Sequence, residues 1–438
     1  MRWLDSIFTT QALAAVFSDG ARLQGMLDFE AALARAQAKL GLVPDAAADA
    51  IAVACQAELY DLAELAAASA QAGNPAIPVV AALRERAGAG AAPFVHLGAT
   101  SQDAMDTGLV LQLRAGLVVV EADLAVLATT LRGLAGTHRS TVMAGRTWLQ
   151  HAQPTTFGLK VAGWLDALER DRERLLAWRS RGLVVELGGA VGTLAGLGPR
   201  GLDVVAALAD LLGLESPRLP WHAARDRVAE LGCVLGLLTG TLGKMARDLA
   251  LLAQTEVAEV SEPDAPGRGG SSAMPQKRNP IGASAVLAAA ARAPALVSIL
   301  LGTMPQAHER GLGDWPAEWE TLPELFVVAG GALAHMARLC AGLVVDPARM
   351  RRNLDATAGQ IFAGPVAAAL AAAGTPRAHA LVAEACRRAA AEKRHLRDVL
   401  ADDAEVRLRL PDLERWFDPR EAVGLAEALV DRVVEVNE

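Results

Sequence analysis

The chain has 438 residues, of which 52% are hydrophobic and only 4% aromatic, so its apolar content comes mainly from Ala, Leu and Val. Because Ala and Leu head the helix-propensity scale, this composition predicts an all-α protein of closely packed helices. The net charge is −8, from 42 basic and 50 acidic residues without a long block of one sign. A broad nucleic-acid-binding surface is therefore excluded, whereas a local site for a small anion is not.

Targeting signals and membrane segments are not expected. The opening MRWLDSIFTT lacks a basic segment followed by a long apolar run, so we predict a cytoplasmic protein. The most hydrophobic windows are interrupted by Arg292 and Pro294, and later by His335 and Arg338, which argues against a spanning helix of roughly 20 apolar residues. The cysteines are far apart and without metal-ligand spacing, so we expect neither a metal site nor a disulfide from Cys55, Cys233, Cys340 and Cys386.

Hydrophobic periodicity outlines three domains. Apolar residues recur at helical spacing from residue 27 to 40. After residue 83 the chain shows little periodicity until residue 109, which places an N-terminal helical domain at 1–103. Three long helical segments follow, at approximately Leu109 to Thr137, Thr155 to Arg181 and Arg225 to Val260. Each is well over the usual helix length of about 11 residues, which predicts a central bundle of near-parallel helices over 104–345.

Residues 262–280 interrupt this bundle with a run rich in Gly, Pro and Ser, which reads EPDAPGRGGSSAMPQKRNP. A long loop inserted between helices is often a lid or a binding segment. Helical periodicity resumes from residue 281 to 301, and shorter, more charged segments predict a small C-terminal helical domain at 346–438.

A GxGxxG pattern occurs at Gly196, Gly198 and Gly201. A dinucleotide-binding turn needs a preceding strand and a following helix within a βαβ unit. The surroundings are helical and Pro199 lies inside the turn, so we interpret the run as a connection between helices and predict no cofactor.

The segment GSSAMPQKRNP, residues 270–280, carries the strongest chemical signal. Ser271 and Ser272 supply hydroxyls, Lys277 a cation and Asn279 an amide. Donors fixed around developing negative charge are usually the largest contribution to catalysis, so this set suits an anionic substrate whose charge grows during reaction. The other interpretation is a surface loop with ordinary turn chemistry, and composition alone does not separate the two.

Two further blocks accompany this segment, HLGATSQD at residues 96–103 and GRTWLQHAQPTTFG at residues 145–158. Their order and spacing, together with the GSxxMxxKxN pattern at Gly270, Ser271, Met274, Lys277 and Asn279, resemble the fumarase/aspartase superfamily. The resemblance covers nearly the whole chain. It implies an all-α subunit of three domains, a homotetramer with a twenty-helix core, and active sites each shared among three subunits.

The resemblance also implies roles for single residues. Ser271 resembles the loop serine that exchanges a proton with the carbon next to a carboxylate, and Lys277 and nearby amides are expected to activate this weak base. Thr100, Ser101, Lys277 and Asn279 resemble the groups that hold that carboxylate and its enediolate form. The other residues predicted to serve the site are His151 in catalysis and, in substrate binding, Thr147, Trp148, Gln150, Ser272, Met274 and Arg310.

One departure narrows the reaction. Many members of the superfamily have His after the Arg-Thr of the second block, where it assists the leaving group, but this chain has Trp148. An indole cannot act as a general acid, so we expect a leaving group that needs none, such as a carboxylate with a reference pKa of about 4. The whole second block resembles the bacterial 3-carboxy-cis,cis-muconate cycloisomerases, which form 4-carboxymuconolactone in protocatechuate breakdown, the β-ketoadipate pathway.

This resemblance implies a small tricarboxylate substrate whose own carboxylate adds to a carbon–carbon double bond. Holding the carboxylate close to the double bond supplies much of the acceleration. An enediolate forms, and Ser271 then protonates carbon.

The main alternative is adenylosuccinate lyase, which shares the GRT, HAQPTTFG and HER motifs. That family has a His-Asp pair where this chain reads GNPAIPVV at residues 73–80, and Ser, Ser and Arg where it has Trp315, Pro316 and Trp319. A nucleotide phosphate would lose its hydroxyl and guanidinium partners. Another C–N or C–O lyase of the superfamily, or a non-catalytic relative like the lens crystallins, remains a further alternative, although the intact serine segment argues against the last.

Several side chains keep two interpretations each. His96 is a ligand or a structural histidine, and His151 either contacts substrate or makes a hydrogen bond within a helix start. Arg310 either pairs with a substrate carboxylate or holds Glu309 and Glu318 across its loop. The tryptophans of these blocks either line the pocket or pack in the core.

Overall fold

The computed structural model describes residues 3–435 and consists almost entirely of helices. The chain forms two compact units, each made of three separate stretches of sequence. The first unit comprises Met1–Leu124, Asp171–Gly243 and Ala285–Ala334. The second unit comprises Ala125–Arg170, Lys244–Ser284 and His335–Glu438. The three domains expected from the sequence stay a prediction beside these units.

Six helices, α1 to α6, form the N-terminal part of the first unit, with the bounds Asp5–Phe8, Gln11–Val16, Asp19–Lys39, Asp45–Ala54, Leu62–Ala72 and Ala76–Ala87. The helix predicted over residues 27–40 is confirmed as α3. It begins after Ser18, whose hydroxyl oxygen accepts a hydrogen bond from the Ala21 N–H (3.2 Å) and so caps the helix. Apolar side chains of α3, α4 and α6, among them Leu27, Ile51 and Leu83, pack into one buried core.

The middle of the chain contains helices α7 to α12, with the bounds Ser101–Thr137, Phe157–Gly182, Gly201–Leu212, Asp226–Ala253, Ile281–Gly302 and Asp314–Ala341. The three predicted long helices are confirmed as α7, α8 and α10, although α10 ends at Ala253 rather than Val260. Ala258 has φ 50°, a left-handed conformation that a continuous right-handed helix does not contain. The helix predicted from residue 281 to 301 is α11. Periodicity does not single out α12, which carries Pro323 inside it.

An antiparallel hairpin, which the sequence analysis does not predict, lies inside the GRTWLQHAQPTTFG block. Strand β1 (Val142–Thr147) pairs with strand β2 (Gln150–Thr156) in the second unit, and the register shifts between residues 144 and 146. A Cβ at Gly145 would lie 2.7 Å from the Gln153 carbonyl oxygen, so only glycine fits this bulge.

The C-terminal part of the second unit starts with a short ribbon of β3 (Val260–Ser261) and β4 (Val344–Val345). Helices α13 to α19 follow, with the bounds Pro347–Asp355, Ala363–Ala372, Ala378–Glu392, Leu396–Ala401, Ala404–Arg409, Pro419–Ala422 and Ala426–Val434. Side chains such as Leu354, Val366 and Leu396 form their buried core, against which Ala144 of β1 also packs. The base of the hairpin is therefore fixed to this helical part.

The GLGPRG run at residues 196–201 consists of two short helical turns separated by a kink at Gly198 (φ 60°, ψ −150°), and it leads directly into α9. It follows an irregular stretch rather than a strand. Its interpretation as a connection between helices is confirmed.

Three helices, α10, α11 and α12, are long and apolar enough to cross a membrane by length and composition alone, among the residues that the structure describes. The expectation that interrupting charged and proline residues would exclude helices of this length and hydrophobicity was therefore wrong. In α12 and α10, 72% and 56% of the most apolar stretch is buried within the protein, whereas in α11 only 28% is buried. Helix α11 thus presents a large apolar surface to the outside of the subunit.

Candidate active site

The HLGATSQD block forms the entrance to α7 in the first unit, and we call residues 96–103 the α7 entry turn. The Thr100 N–H donates to Asp103 Oδ2 (2.8 Å), so Asp103 caps the helix that begins at Ser101. Backbone N–H groups of residues 188–189 donate to the same carboxylate (3.0 and 3.1 Å), and His222 Nε2 lies 2.6 Å from Oδ1. This carboxylate fixes the turn at the positive end of a 37-residue helix, where free N–H groups and the helix dipole favour an anion.

Arg310 reaches the α7 entry turn from the connection between α11 and α12. Its Nε donates to Gln102 Oε1 (2.8 Å), which places the guanidinium beside the first turn of α7. The alternative that Arg310 holds Glu309 and Glu318 is wrong, because Glu318 instead accepts from Arg225 Nη2 (2.5 Å). The first unit therefore brings together a guanidinium and a helix N-terminus, a combination suited to a carboxylate.

Beneath the entry turn lies a buried ionic network. Arg225 is 0% exposed on its side chain and pairs with Asp106 (2.6 Å) and Glu318 (2.5 Å). Trp315 Nε1 donates to Asp106 Oδ1 (3.2 Å) and stacks edge-on against Trp319. For Trp315, which is 5% exposed, the structure supports core packing.

His96 has a structural partner. Its Nδ1 lies 2.5 Å from Oε1 of the buried Glu30, and its backbone has φ 62°. Burial lowers the pKa of His96, but the charge of Glu30 and its hydrogen bond outweigh burial, so the pKa is raised. The structural interpretation of His96 is therefore the one that the structure supports.

Sequence analysis missed a buried cluster with metal-ligand spacing, formed by Asp103, Glu186 and His222, whose ligand atoms all lie within 4.8 Å of one another. Its members are scattered along the chain, and the pattern gives no local signal. Burial, with the charges of Asp106 and Asp103, raises the pKa of Glu186 to about 9. Because backbone N–H groups already occupy both oxygens of Asp103, we assign this cluster a structural role in holding the α7 entry turn.

In the second unit, His151 lies on β2 directly opposite Arg146 of β1, so the alternative that it makes a hydrogen bond within a helix start is wrong. Both terminal nitrogens of Arg146 donate to the buried Glu259 (2.9 and 2.7 Å), which also accepts from Asn353 (2.7 Å). His151 Nδ1 is buried without a hydrogen-bond partner among the described residues. Burial and the charge of Arg146 lower the pKa of His151, which favours the neutral imidazole.

The tip of the hairpin is a tight turn made by Trp148 and Leu149, between Thr147 and Gln150. Both turn residues are left-handed (φ 51° and 63°), the geometry of a type I′ turn that normally favours Asn-Gly. Trp148 is 96% exposed and Leu149 71% exposed. The structure therefore holds two large apolar side chains in a strained conformation without burying either of them, and Trp148 does not line a pocket of this unit.

The third block lies in residues 262–280 of the second unit, which we call the serine loop. Both oxygens of Glu262 accept from the backbone N–H groups of residues 282–283 (3.0 and 2.9 Å), which caps α11 and anchors one end of the loop. The Asn279 N–H donates to the Gly269 carbonyl (2.7 Å), which closes the loop on itself. Between these anchors, Ser272, Met274 and Lys277 are exposed.

Ser271 lies at the rim of a concave surface of about 540 Å³ formed by the serine loop itself. Its Oγ accepts from the backbone N–H groups of Met274 (3.1 Å) and Ala273 (3.4 Å). Donors aimed at a hydroxyl oxygen stabilise the negative charge that the oxygen carries once its proton has left. From the sequence, Lys277 and nearby amides are expected to activate Ser271, and the structure adds the two backbone N–H groups.

The predicted site residues fall into three groups. In the first unit the α7 entry turn assembles Thr100, Ser101 and Arg310. In the second unit the hairpin carries Thr147, Trp148, Gln150 and His151. The serine loop carries Ser271, Ser272, Met274, Lys277 and Asn279.

This chain is similar to known proteins over most of its length. The sequence model of a family described as lyase matches residues 7–294, and one described as adenylosuccinate lyase C-terminus matches residues 359–433. The 3-carboxy-cis,cis-muconate cycloisomerase of Pseudomonas aeruginosa is 55% identical over 436 residues, which cover 98% of this chain and 95% of that protein. Nitrosuccinate lyase of Streptomyces davaonensis is 46% identical over 434 residues, covering 96% of this chain and 91% of that protein.

A solved structure is equally similar. The crystal structure of 3-carboxy-cis,cis-muconate lactonizing enzyme from Pseudomonas putida matches with a TM-score of 0.95 at 54% identity, covering 99% of this chain and 98% of that chain. The all-α fold class expected from the sequence is thereby confirmed. With a lyase family model matching most of its length and relatives that share about half of its residues from end to end, this chain belongs to the lyase family of the fumarase/aspartase superfamily.

Proposed function

We propose that this protein is an enzyme that converts 3-carboxy-cis,cis-muconate into 4-carboxymuconolactone, an intramolecular addition of a carboxylate to a carbon–carbon double bond. The observation that carries the proposal is the hairpin tip. The indole of Trp148 at this tip cannot act as a general acid. His151 lies further along strand β2, and its lowered pKa favours the neutral imidazole. A carboxylate that adds or departs as a stable anion needs no general acid, whereas an amine leaving group does.

Binding of the substrate is assigned to the α7 entry turn. Arg310 and the N-terminus of α7 offer a guanidinium and backbone donors to one carboxylate, and Thr100 and Ser101 add hydroxyls. Lys277 and Asn279 of the serine loop, with Ser272 and Met274 beside them, bind the carboxylate next to the carbon that is protonated, and in a homotetramer with shared active sites this loop comes from another subunit. Thr147, Trp148 and Gln150 form the wall on the side of the attacking oxygen.

The reaction then proceeds in two steps. A substrate carboxylate oxygen forms a C–O bond to one carbon of the double bond, and the electron pair of that double bond moves onto the neighbouring carbon and its carboxylate as an enediolate. Lys277 and Asn279 stabilise the added charge. Ser271 gives its proton to carbon, and water returns a proton to the Ser271 alkoxide, which the two backbone N–H groups stabilise meanwhile. No atom is lost, so the product is an isomer.

We assign a homotetramer with a twenty-helix core, in which three subunits contribute to each active site. The exposed apolar face of α11 supports this assembly, with Ile281, Ile299 and Leu301 exposed by 42%, 43% and 47%. Burial of such a face is worth roughly 25 cal/mol per Å² of apolar surface. The exposure of Trp148 also supports this assembly, because the active site of a neighbouring subunit would bury its side chain.

The assembly is tested by light scattering of Ile299→Glu. We expect the variant to fall apart into dimers or monomers, while the control Leu202→Glu, which changes an exposed apolar residue of α9, stays tetrameric. A wild-type chain that stays monomeric, or that leaves the aqueous phase for lipid vesicles, would contradict both the tetramer and the cytoplasmic, membrane-free location that we assign to it.

The activity is tested by ultraviolet absorbance with two substrates. Loss of the diene absorbance of 3-carboxy-cis,cis-muconate, with no change on addition of adenylosuccinate, is the expected result. The second candidate function is a lyase of the same superfamily, favoured by the C-terminal match to adenylosuccinate lyase and by the similarity to nitrosuccinate lyase. Cleavage of adenylosuccinate would establish it, and silence with every substrate would favour a non-catalytic relative.

A further inference from the structure

Gln102 occupies the first turn of α7 directly after Ser101 and is 0% exposed. Its Oε1 accepts from Arg310 Nε (2.8 Å), and its Nε2 donates to Asp106 Oδ2 (3.1 Å) and to the His222 carbonyl oxygen (3.0 Å). A side-chain amide offers one acceptor oxygen and two N–H donors. Each of these groups is therefore used, and the side chain links Arg310 to the core of the first unit.

The partners of Gln102 fix which way its amide points. Asp106 is held by Arg225 Nη1 (2.6 Å) and by Trp315 Nε1 (3.2 Å), so its carboxylate cannot turn away. Rotation of the amide by half a turn would place its oxygen against the carboxylate and its NH2 group against the guanidinium. Both contacts would be repulsive, so the acceptor stays directed at Arg310.

Arg310 depends on this acceptor for its orientation. Its Nη2 also donates to the Ala190 carbonyl oxygen, at the longer distance of 3.3 Å. Next to it in the loop, the Gly311 N–H donates to Gln306 Oε1 (3.0 Å). An arginine side chain carries about 2 kcal/mol of rotamer entropy, which must be lost when it binds a ligand. Ordering the side chain beforehand removes part of that cost.

We propose that Gln102 is a positioning residue, which presents the Arg310 guanidinium at the N-terminus of α7 in the orientation that binds one substrate carboxylate. This inference rests on the proposed carboxylate-binding role of Arg310. Gln102 never touches the substrate. Gln102 accepts the hydrogen bond of Arg310 Nε and so leaves the terminal nitrogens of the guanidinium to bind a carboxylate.

The test is a double-mutant cycle on kcat/KM with 3-carboxy-cis,cis-muconate, using the wild type, Gln102→Met, Arg310→Ala and the double variant. Methionine keeps the length and volume of glutamine but removes its hydrogen bonds. We expect Gln102→Met to lower kcat/KM about tenfold, mainly through KM, as for one hydrogen bond to a charged group. In the Arg310→Ala background the same substitution should change kcat/KM less than about twofold, because the two residues act through one contact.

Gln112→Met is the matched control. Gln112 is also buried on α7, but its amide donates to the Val16 carbonyl oxygen (2.8 Å), and among residues 3–435 it has no hydrogen bond to Arg310. Its substitution should cost stability without coupling to Arg310→Ala. If Gln102→Met lowered kcat/KM equally with and without Arg310, Gln102 would be a structural residue and the inference would be overturned.

Two further measurements keep the inference open to refutation. If Gln102→Met does not fold, Arg310→Lys replaces it, because lysine keeps the charge but has no Nε–H for Gln102 to hold. Retention of kcat/KM within about twofold in that variant would overturn the inference, since tight orientation by a bidentate fork would not matter. If the wild type does not turn over the muconate, the cycle is measured as the Kd of propane-1,2,3-tricarboxylate, where coupling supports Gln102 although the proposed reaction has failed, and its absence overturns the inference.

Discussion

The α7 entry turn and the serine loop differ in how completely their polar groups are bonded. In the entry turn, Gln102 and Asp103 are buried and each bonds to several groups far away in sequence. In the serine loop, Lys277 is exposed, and the hydrogen bonds of Ser271 within the described part of the chain come from the backbone of its own turn. Segments with few buried contacts open at low free energy, whereas buried networks open only with the whole fold.

This difference indicates a division of labour. A carboxylate that must be held in one place through the reaction is best bound by groups that are already fixed, since no reorganisation is then needed. A proton donor must approach carbon after the substrate has entered, which requires a segment that closes on it. Substitutions in the serine loop, in the network beneath the α7 entry turn and at the hairpin tip test whether the rigid and the mobile parts have these separate roles.

Ser271→Ala should lower kcat by about 100-fold to 10,000-fold, the range for loss of a general acid or base, and should leave the melting temperature unchanged. The loop serine takes part in chemistry but carries no buried contact that stabilises the fold. Steady-state kinetics and thermal unfolding measure the two effects. Ser272→Ala, the exposed neighbour, is the control and should lose much less activity. Comparable losses in both variants would show that the proton donor has been assigned wrongly.

Arg225→Met should lower the free energy of unfolding by about 3–5 kcal/mol, because it leaves the buried Asp106 and Glu318 without their shared cation. Denaturant titration measures the loss, and exposed Arg218→Met is the control, expected within about 0.5 kcal/mol of the wild type. A stability equal to that of the wild type would mean that the network beneath the α7 entry turn is not what makes it rigid.

The strained hairpin tip provides a matched pair, Trp148→Gly and Leu149→Gly. In either variant, relief of left-handed strain of about 1–2 kcal/mol is partly offset by the entropy of glycine, about 0.5–1 kcal/mol, so stability should change little. Only Trp148→Gly should lower kcat/KM, by about tenfold or more, since an aromatic contact that is buried once a neighbouring subunit covers Trp148 is worth roughly that much. Equal activity of the two variants would remove Trp148 from the site.

Glu186→Gln tests the pH dependence of the α7 entry turn. The pKa of Glu186 is about 9 in the folded protein against an ordinary value of 4.5, so the fold favours its protonated form. The stability that this contributes is complete below pH 4.5 and is lost as the pH rises towards 9. The variant should match the wild type in melting temperature near pH 5 and exceed it by about 2–4 °C near pH 9. If the melting temperatures of the two proteins differed by the same amount from pH 5 to pH 9, Glu186 would not have a raised pKa in the folded protein.

Local patterns predicted the parts of the fold that local interactions determine. Long helices such as α7 and α11 follow from composition and periodicity, since each residue's preference and burial agree. The β1–β2 hairpin was missed because its tip, Trp148-Leu149, has none of the residues that normally mark a type I′ turn. Helix α12 was missed in a stretch that carries Pro323, a residue that usually ends a helix.

From the sequence, candidate site residues could be grouped only where they are contiguous. The serine loop is visible as a single segment, so Ser271, Lys277 and Asn279 were found together. The supports of the α7 entry turn come from separate places, as the 208-residue separation of Gln102 and Arg310 illustrates. No sequence period links such residues, and their pairing follows from tertiary packing alone. For this reason the alternative that Arg310 pairs with Glu309 and Glu318 was wrong, while its inclusion in the candidate site was an inference from resemblance.

The central claim is tested most directly by running the reaction in D2O and analysing the product by mass spectrometry and NMR. If Ser271 delivers a solvent-exchangeable proton to carbon as the carboxylate closes the ring, the lactone should carry a single deuterium, at the carbon next to a carboxylate. A product without deuterium, or one released as two fragments, would contradict a cycloisomerisation through an enediolate.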